Sequence, residues 1–222
     1  MTETEGMTSK QKLAYYQDKL YQDAMNARSK GELVCWSSSI APSEFCEVMG
    51  IHMIYPENHA AAVGAKHGAL DMIEIAERKG YSLDICSYAR INLAYMDLLV
   101  EQAKTGVTPE ALENCPAPKI PLPDVIITCN NICNTLLKWY ENIAVELNIP
   151  YIIIDVPYVH TWPIPEYTKT YIVDQFDYAI KQLEELTGKK FDYDKFVEVQ
   201  KQVQRSVHEW DRAMGMAATV PS

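Results

Sequence analysis

The chain has 222 residues, with 20 Lys and Arg against 30 Asp and Glu, and a net charge of −10. This acidic balance argues against nucleic-acid binding, which needs a basic face. Hydrophobic residues make up 48% of the sequence, enough for a core. No apolar run reaches the ~18–20 residues that cross a bilayer, so no membrane segment is expected. The first twelve residues lack the apolar core of a secretion signal, and six cysteines in a chain of this length do not indicate a disulfide framework. We therefore expect a cytoplasmic protein with free thiols.

Hydrophobic spacing and turn residues predict the elements along the chain. The first half contains, in order, a helix over 10–30, a strand over 33–36, a short helix over 42–50, a strand over 51–55, a turn over 57–59 leading into an Ala-rich helix, and a helix over 70–79. The second half contains a possible strand end at 84–86, a helix over 87–103, a proline-rich connecting loop over 105–123, a strand over 125–128, a helix over 134–147, a strand over 151–154, and two helices over 166–186 and 192–216.

Short apolar strands that alternate with helices predict an α/β fold: a parallel sheet flanked by helices, Rossmann- or flavodoxin-like, with C-terminal linking helices. Ligands bind such sheets outside the carboxyl ends of the strands. Five turns are expected at that edge: Ser37–Ser39, Glu57–His59, Cys86, Cys129–Cys133 and Asp155–Tyr158.

Cysteines are the residues with the most distinctive chemistry at this predicted edge. Cys129 and Cys133 share one strand-to-helix turn, where the N–H groups of a helix start stabilise a thiolate. Cys86 precedes another helix, whereas Cys35 lies within an apolar strand and is expected in the core. The sequence has no glycine-rich dinucleotide fingerprint, no Walker loop and no nucleophile elbow. From the residues alone, a metallo-enzyme with a thiol site and a binding or assembly module with incidental thiols both stay open.

A set of segments, which follow one another over nearly the whole chain, carries a resemblance to a known family: Trp36–Ser39, Tyr55–Asn58, Gly80–Arg90, Cys129–Asn134, Lys138–Asn142, Ile154–Asp155 and Gly188–Phe191. Together they resemble the α-type subunit of the 2-hydroxyacyl-CoA dehydratases, to which the benzoyl-CoA reductases are more distantly related. The most specific pair is Asp84-Ile85-Cys86 and Cys129-Asn130-Asn131-Ile132-Cys133-Asn134.

The resemblance implies a [4Fe–4S] cluster that three cysteines hold, with one iron open to the substrate. Cys86 and Cys133 match two of these ligands, and Cys129 matches a family cysteine that is not a ligand. The third ligand of the family lies in a second α/β domain of a longer subunit. The resemblance therefore divides this chain into an α/β cluster-binding domain over 1–160 and a helical segment over 161–222 that leads to a missing second domain.

The same resemblance implies a lyase that removes water from a 2-hydroxyacyl-CoA, through a ketyl radical, to give the enoyl-CoA. The family's active-site serine and glutamate match Ser39 and Glu57. Ser39 would hydrogen-bond the substrate oxygen, and Glu57 would handle the proton or the departing hydroxide. Residues 36–40 and the loop over 105–123 would shape the acyl pocket.

The implied partners are a β-type dehydratase subunit and an ATP-dependent iron–sulfur activator protein. Two alternatives stay open. The chain could be a non-catalytic half-subunit that only assembles with a partner, or an electron-transferring subunit of the benzoyl-CoA reductase type.

Overall fold

The computed structural model describes residues 3–220, which form four strands and nine α-helices. In chain order these elements are α1 (Ser9–Ala27), β1 (Val34–Ser37), α2 (Ser43–Met49), β2 (His52–Ile54), α3 (Pro56–Ala65), α4 (Ala69–Arg78), α5 (Ser87–Thr105), α6 (Glu110–Glu113), β3 (Val125–Cys129), α7 (Asn134–Leu147), β4 (Tyr151–Ile154), α8 (Glu166–Thr187) and α9 (Tyr193–Ala217). A short 3₁₀ turn over Arg28–Lys30 follows α1. Within this part of the chain, no helix combines the length and apolarity that a membrane span requires.

The four strands form one parallel sheet in the order β2-β1-β3-β4. Trp36 of β1 pairs with Ile54 on one side and with Ile126 on the other, so β1 is an interior strand. This is the flavodoxin-like order, in which the chain reverses direction across the sheet between β1 and β3. The α/β fold predicted from the sequence is confirmed, and its ligand-binding crevice is expected where β1 and β3 end.

Alternating side chains of the central strands supply two separate cores, one on each face of the sheet. Trp36 and Ile126 point to the face that α1, α3, α4, α5 and α7 cover. Cys35 and Ile127 point to the opposite face, which α2 and α8 cover. Burial on both faces explains why these strands are continuously apolar. Helix α8 supplies this second core although it lies beyond residue 160; the division of the chain at that residue stays a prediction.

Two local predictions are wrong. Glu57–His59 is not a turn, because α3 already begins at Pro56. Proline suits the first position of a helix, since its fixed φ is helical and the N–H that it lacks would have no partner there. Asp84–Cys86 is not a strand end; it belongs to the loop between α4 and α5 and pairs with no strand.

The proline-rich connection over 105–123 contains the one-turn helix α6 and is held to the body by buried side chains. The Trp36 Nε1–H donates to the Pro121 carbonyl at 3.0 Å. Tyr95 accepts a hydrogen bond from the Ile120 N–H at 3.4 Å. His59 Nε2 bonds the Pro118 carbonyl at 3.0 Å. These bonds replace the regular backbone pairing that a loop lacks.

His59 makes the stability of the fold depend on pH. A carbonyl only accepts hydrogen bonds, so Nε2 carries the proton, while Nδ1 is buried without a partner. Burial lowers the pKa of His59 to about 4, from an ordinary value of 6.5. Between these two pH values the unfolded chain binds a proton that the folded chain excludes.

We therefore expect His59 to contribute a loss of about 3 kcal/mol in the free energy of unfolding as the pH falls from 6.5 to about 4. Urea unfolding of the wild type and of a His59→Phe variant across this range measures the contribution. The variant cannot take up the proton, so its stability should fall less steeply. Parallel curves for the two proteins would contradict the prediction.

Candidate active site at the strand ends

Ser39 and Glu57 meet at the carboxyl edge of the sheet. Ser39 lies just beyond β1 and is exposed, whereas Glu57 is half-buried in the first turn of α3, after the neighbouring strand β2. The Ser39 backbone N–H donates to Glu57 Oε2 at 2.9 Å. This bond leaves the hydroxyl of Ser39 and the second oxygen of Glu57 for other partners. The two residues that the sequence singled out are therefore in contact, although their catalytic roles stay predictions.

The two cysteines proposed as ligands each occupy the N-cap position of a helix. Cys86 is the N-cap of α5, Cys133 is the N-cap of α7, and both residues are exposed. Backbone N–H groups and the helix dipole favour a thiolate at such a position. Cys129 ends β3 and is buried, and burial raises the pKa of its thiol to about 11. Burial thus disfavours the thiolate form of Cys129, which a metal ligand needs.

Helices α5 and α7 bring Cys86 and Cys133 to the same end of the fold. The helices pack side by side, and the Trp139 Nε1–H donates to the buried Asn92 Oδ1 at 2.8 Å. A cleft of about 390 Å³ opens between their N-terminal turns. Its walls include residues next to both cysteines: Ile85 and Ala89 on one side, Asn134 and Thr135 on the other.

The loop that carries Cys133 is fixed to the end of β4. The Asn130 side chain donates to Asp155 and accepts from the Val156 N–H at 2.6 Å. The Tyr171 hydroxyl donates to the other oxygen of Asp155 at 2.6 Å, which connects the loop to α8. The polar residues after β3 and β4 therefore hold the shape of the edge.

A cavity of about 740 Å³ lies beside Ser39 on the second face of the sheet. Ser39, Ile40 and Cys129 form its wall at the sheet, and α8 and α9 supply aromatic residues such as Phe176 and Tyr193. Of residues 36–40, which are expected to shape the acyl pocket, Ser39 and Ile40 line this cavity; its use as an acyl pocket stays a prediction. The sequence predicts α8 and α9 as helices, but it gives no sign that they line a cavity. The loop over 105–123 does not line this cavity; it packs against Trp36 and His59 instead.

Comparison with known proteins identifies the family. A model of the 2-hydroxyglutaryl-CoA dehydratase D-component family matches residues 38–222. The chain belongs to this family. As a member, it is 62% identical over 222 residues to the lactoyl-CoA dehydratase subunit alpha of Anaerotignum propionicum, a match that covers 100% of this chain and 53% of that relative.

Two further relatives match most of this dehydratase-family chain. It is 45% identical over 199 residues to the (R)-phenyllactyl-CoA dehydratase alpha subunit of Clostridium sporogenes, covering 90% of the chain and 46% of the relative. It is 26% identical over 182 residues to one of the subunits of the benzoyl-CoA reductase of Thauera aromatica, covering 80% of the chain and 39% of the relative. The chain thus spans about half the length of the dehydratase subunits that it matches.

The described residues fit part of an iron–sulfur site. Thiolates are the ligands that hold such clusters, and two exposed cysteines stand at one end of two packed helices. Among residues 3–220, no three His, Cys, Asp or Glu side chains gather in a way that could hold a metal ion. The assignment of Cys86 and Cys133 as cluster ligands therefore stays a prediction.

Proposed function

We propose that this chain forms the cluster-binding part of the α-type subunit of a 2-hydroxyacyl-CoA dehydratase, a hydro-lyase. The observation that carries the proposal is the 62% identity to a dehydratase α subunit over the whole chain. The contact between Ser39 and Glu57 at the carboxyl edge of the sheet supports it independently. Residues 1–160 would form the α/β cluster-binding domain, and residues 161–222 would connect it to a second α/β domain.

Cys86 and Cys133 would hold a [4Fe–4S] cluster together with a third cysteine outside this chain. Their thiols are exposed at helix N-termini, where thiolate is favoured. Such a cluster, when bound, supplies an open iron that acts as a Lewis acid toward a substrate oxygen. All six cysteines are free, which fits a reducing compartment such as the cytoplasm.

Ser39 and Glu57 would act on the acyl group directly. The β-hydrogen of a 2-hydroxyacyl thioester is not acidic, so elimination needs prior activation. One electron from an ATP-dependent iron–sulfur activator would convert the thioester carbonyl to a ketyl radical anion, which expels the 2-hydroxyl as hydroxide. The resulting enoxy radical loses its β-proton easily, and the electron is then returned. The Ser39 hydroxyl would donate to the substrate oxygen, and Glu57 would handle the proton or the departing hydroxide.

Iron and acid-labile sulfide, measured after anaerobic assembly of the chain with the half that carries the third cysteine and after reconstitution, test the ligand assignment. We expect the wild type to retain iron and sulfide, and the Cys86→Ala and Cys133→Ala variants to lose most of both. A Cys115→Ala variant is the matched control, since Cys115 is a half-buried thiol away from both helix ends. Equal iron content in all four proteins would show that these cysteines are not ligands.

The reaction is tested after assembly with the remaining half and a β-type subunit, in the presence of the activator. A dehydratase converts a 2-hydroxyacyl-CoA to its enoyl-CoA, whereas a relative of the benzoyl-CoA reductases reduces an aromatic acyl-CoA. The 26% match to a reductase subunit is the observation that keeps this second function in the test. Turnover of neither substrate would favour a half-subunit that serves assembly alone.

A further inference from the structure

Helices α5 and α7 run in the same direction, as two contacts along their length show. Near the N-terminal ends, Trp139 on α7 bonds to Asn92 on α5. Farther along, Glu146, the second-last residue of α7, faces Asp97 in the middle of α5 and shares a pocket with Glu101 nearer the end of α5; burial and the neighbouring Asp97 carboxylate raise the pKa of Glu146. Later residues of one helix thus meet later residues of the other.

The Trp139–Asn92 hydrogen bond stands at the same height above both cysteines. Asn92 lies six residues after Cys86, and Trp139 lies six residues after Cys133. Six residues of an α-helix rise about 9 Å. Because the helices are parallel and the two intervals are equal, one hydrogen bond aligns the first turns of both helices, and residues next to each cysteine line the cleft between them.

The burial of Asn92 indicates that its hydrogen bond to Trp139 aligns the two helices, in addition to the packing of the side chains. Asn92 is fully buried, and its Nδ2 has no hydrogen-bond partner in the described structure. A buried amide with an unpartnered donor is unfavourable, and an apolar residue of similar size would avoid that cost. A single polar pair inside an apolar contact fixes how two helices are aligned, which apolar packing alone does less strictly.

Tyr140, the residue after Trp139, fixes the same helix to the other half of the site. Its buried hydroxyl donates to the Ser37 carbonyl at 3.1 Å, at the end of β1. Two consecutive residues of α7 therefore connect the helix of Cys133 to the helix of Cys86 and to the strand that leads to Ser39.

We propose that Asn92 and Trp139 are positioning residues, which hold Cys86 and Cys133 at the separation that a shared inorganic cluster requires before the cluster binds. The inference rests on the proposed function in that these two thiols are the ligands. To the proposed function, the inference adds two residues that contact neither the cluster nor the substrate.

Chemical bridging of the two thiols in the metal-free chain tests the proposal. A bismaleimide with a two-carbon linker is added, and peptide mapping gives the ratio of bridged to separately modified Cys86 and Cys133. We expect efficient bridging in the wild type and a ratio lowered about tenfold in Asn92→Leu and in Trp139→Phe. Trp139→Phe keeps an aromatic ring in the contact, so it serves if Asn92→Leu fails to fold.

Thr128→Val is the matched control, because it removes another buried hydrogen bond, 3.0 Å long to the Tyr151 hydroxyl, that does not join α5 to α7. Its bridging ratio should equal that of the wild type. Thermal unfolding of each variant separates positioning from stability: bridging in Asn92→Leu and Trp139→Phe should fall at temperatures at which every variant is still folded. A wild type that is not bridged, or Asn92→Leu and Trp139→Phe variants that are bridged as well as the wild type, would overturn the proposal.

Iron content after reconstitution distinguishes this proposal from the proposed function. If bridging depends on Asn92 but no protein takes up iron, the thiols are positioned and the cluster assignment fails. If the wild type and Asn92→Leu take up iron equally, the cluster assignment stands and Asn92 does not position the ligands.

Discussion

Replacing Trp36 by alanine is expected to lower the free energy of unfolding by about 3–5 kcal/mol. Trp36 is fully buried on the interior strand β1, between β2 and β3. Truncation would leave a cavity in the larger core and would also leave the Pro121 carbonyl without its donor. Urea unfolding followed by circular dichroism measures the change.

Trp162→Ala is the control, because it makes the same tryptophan-to-alanine substitution at an exposed position. Trp162 is 86% exposed, so its truncation should change the free energy of unfolding by no more than about 0.5 kcal/mol. A loss below about 1 kcal/mol in Trp36→Ala would mean that the core around β1 collapses to fill the gap. In that case β1 would not be the rigid support from which Ser39 extends.

The strands of the sheet could be predicted from the sequence, because each is a short run of apolar residues and helices lie between them. Trp36 and Ile126 pack into one core and Cys35 and Ile127 into the other, so a sheet that is buried on both faces needs apolar residues at every one of these positions. Because the strands are parallel, the polar turns that follow them lie at one edge of the sheet. The contact between Ser39 and Glu57 is a consequence, since their strands are neighbours.

Local features of the site were harder to predict because they depend on tertiary contacts. The sequence predicts a turn over 57–59, yet α3 begins at Pro56, so Glu57 is held by a helix rather than by a turn. The role of Asn92 has no sequence signal beyond one polar residue among apolar ones on a helix. Only the position of Trp139 on the neighbouring helix reveals it.

Glu57→Gln should lower the rate of dehydration in the assembled enzyme by about 10²–10⁴-fold, the usual effect of removing a residue that transfers a proton. The amide oxygen of glutamine can still accept the Ser39 N–H, so the turn after β1 should keep its conformation. Unchanged thermal unfolding of the variant would confirm that the loss is chemical. Formation of the enoyl-CoA from a 2-hydroxyacyl-CoA, with the activator in excess, provides the rate.

The sharpest comparison is with Glu47→Gln, which removes the same charge from an exposed position on α2. If the loss of one negative charge from the protein were enough to slow the reaction, both variants would be slowed equally. A role for Glu57 at the reacting carbon would slow Glu57→Gln alone. Full activity in Glu57→Gln would mean that the Glu57 side chain has a structural role only, as the acceptor that orients the Ser39 backbone. Ser39 would then be the remaining candidate for contact with the substrate at this edge of the sheet.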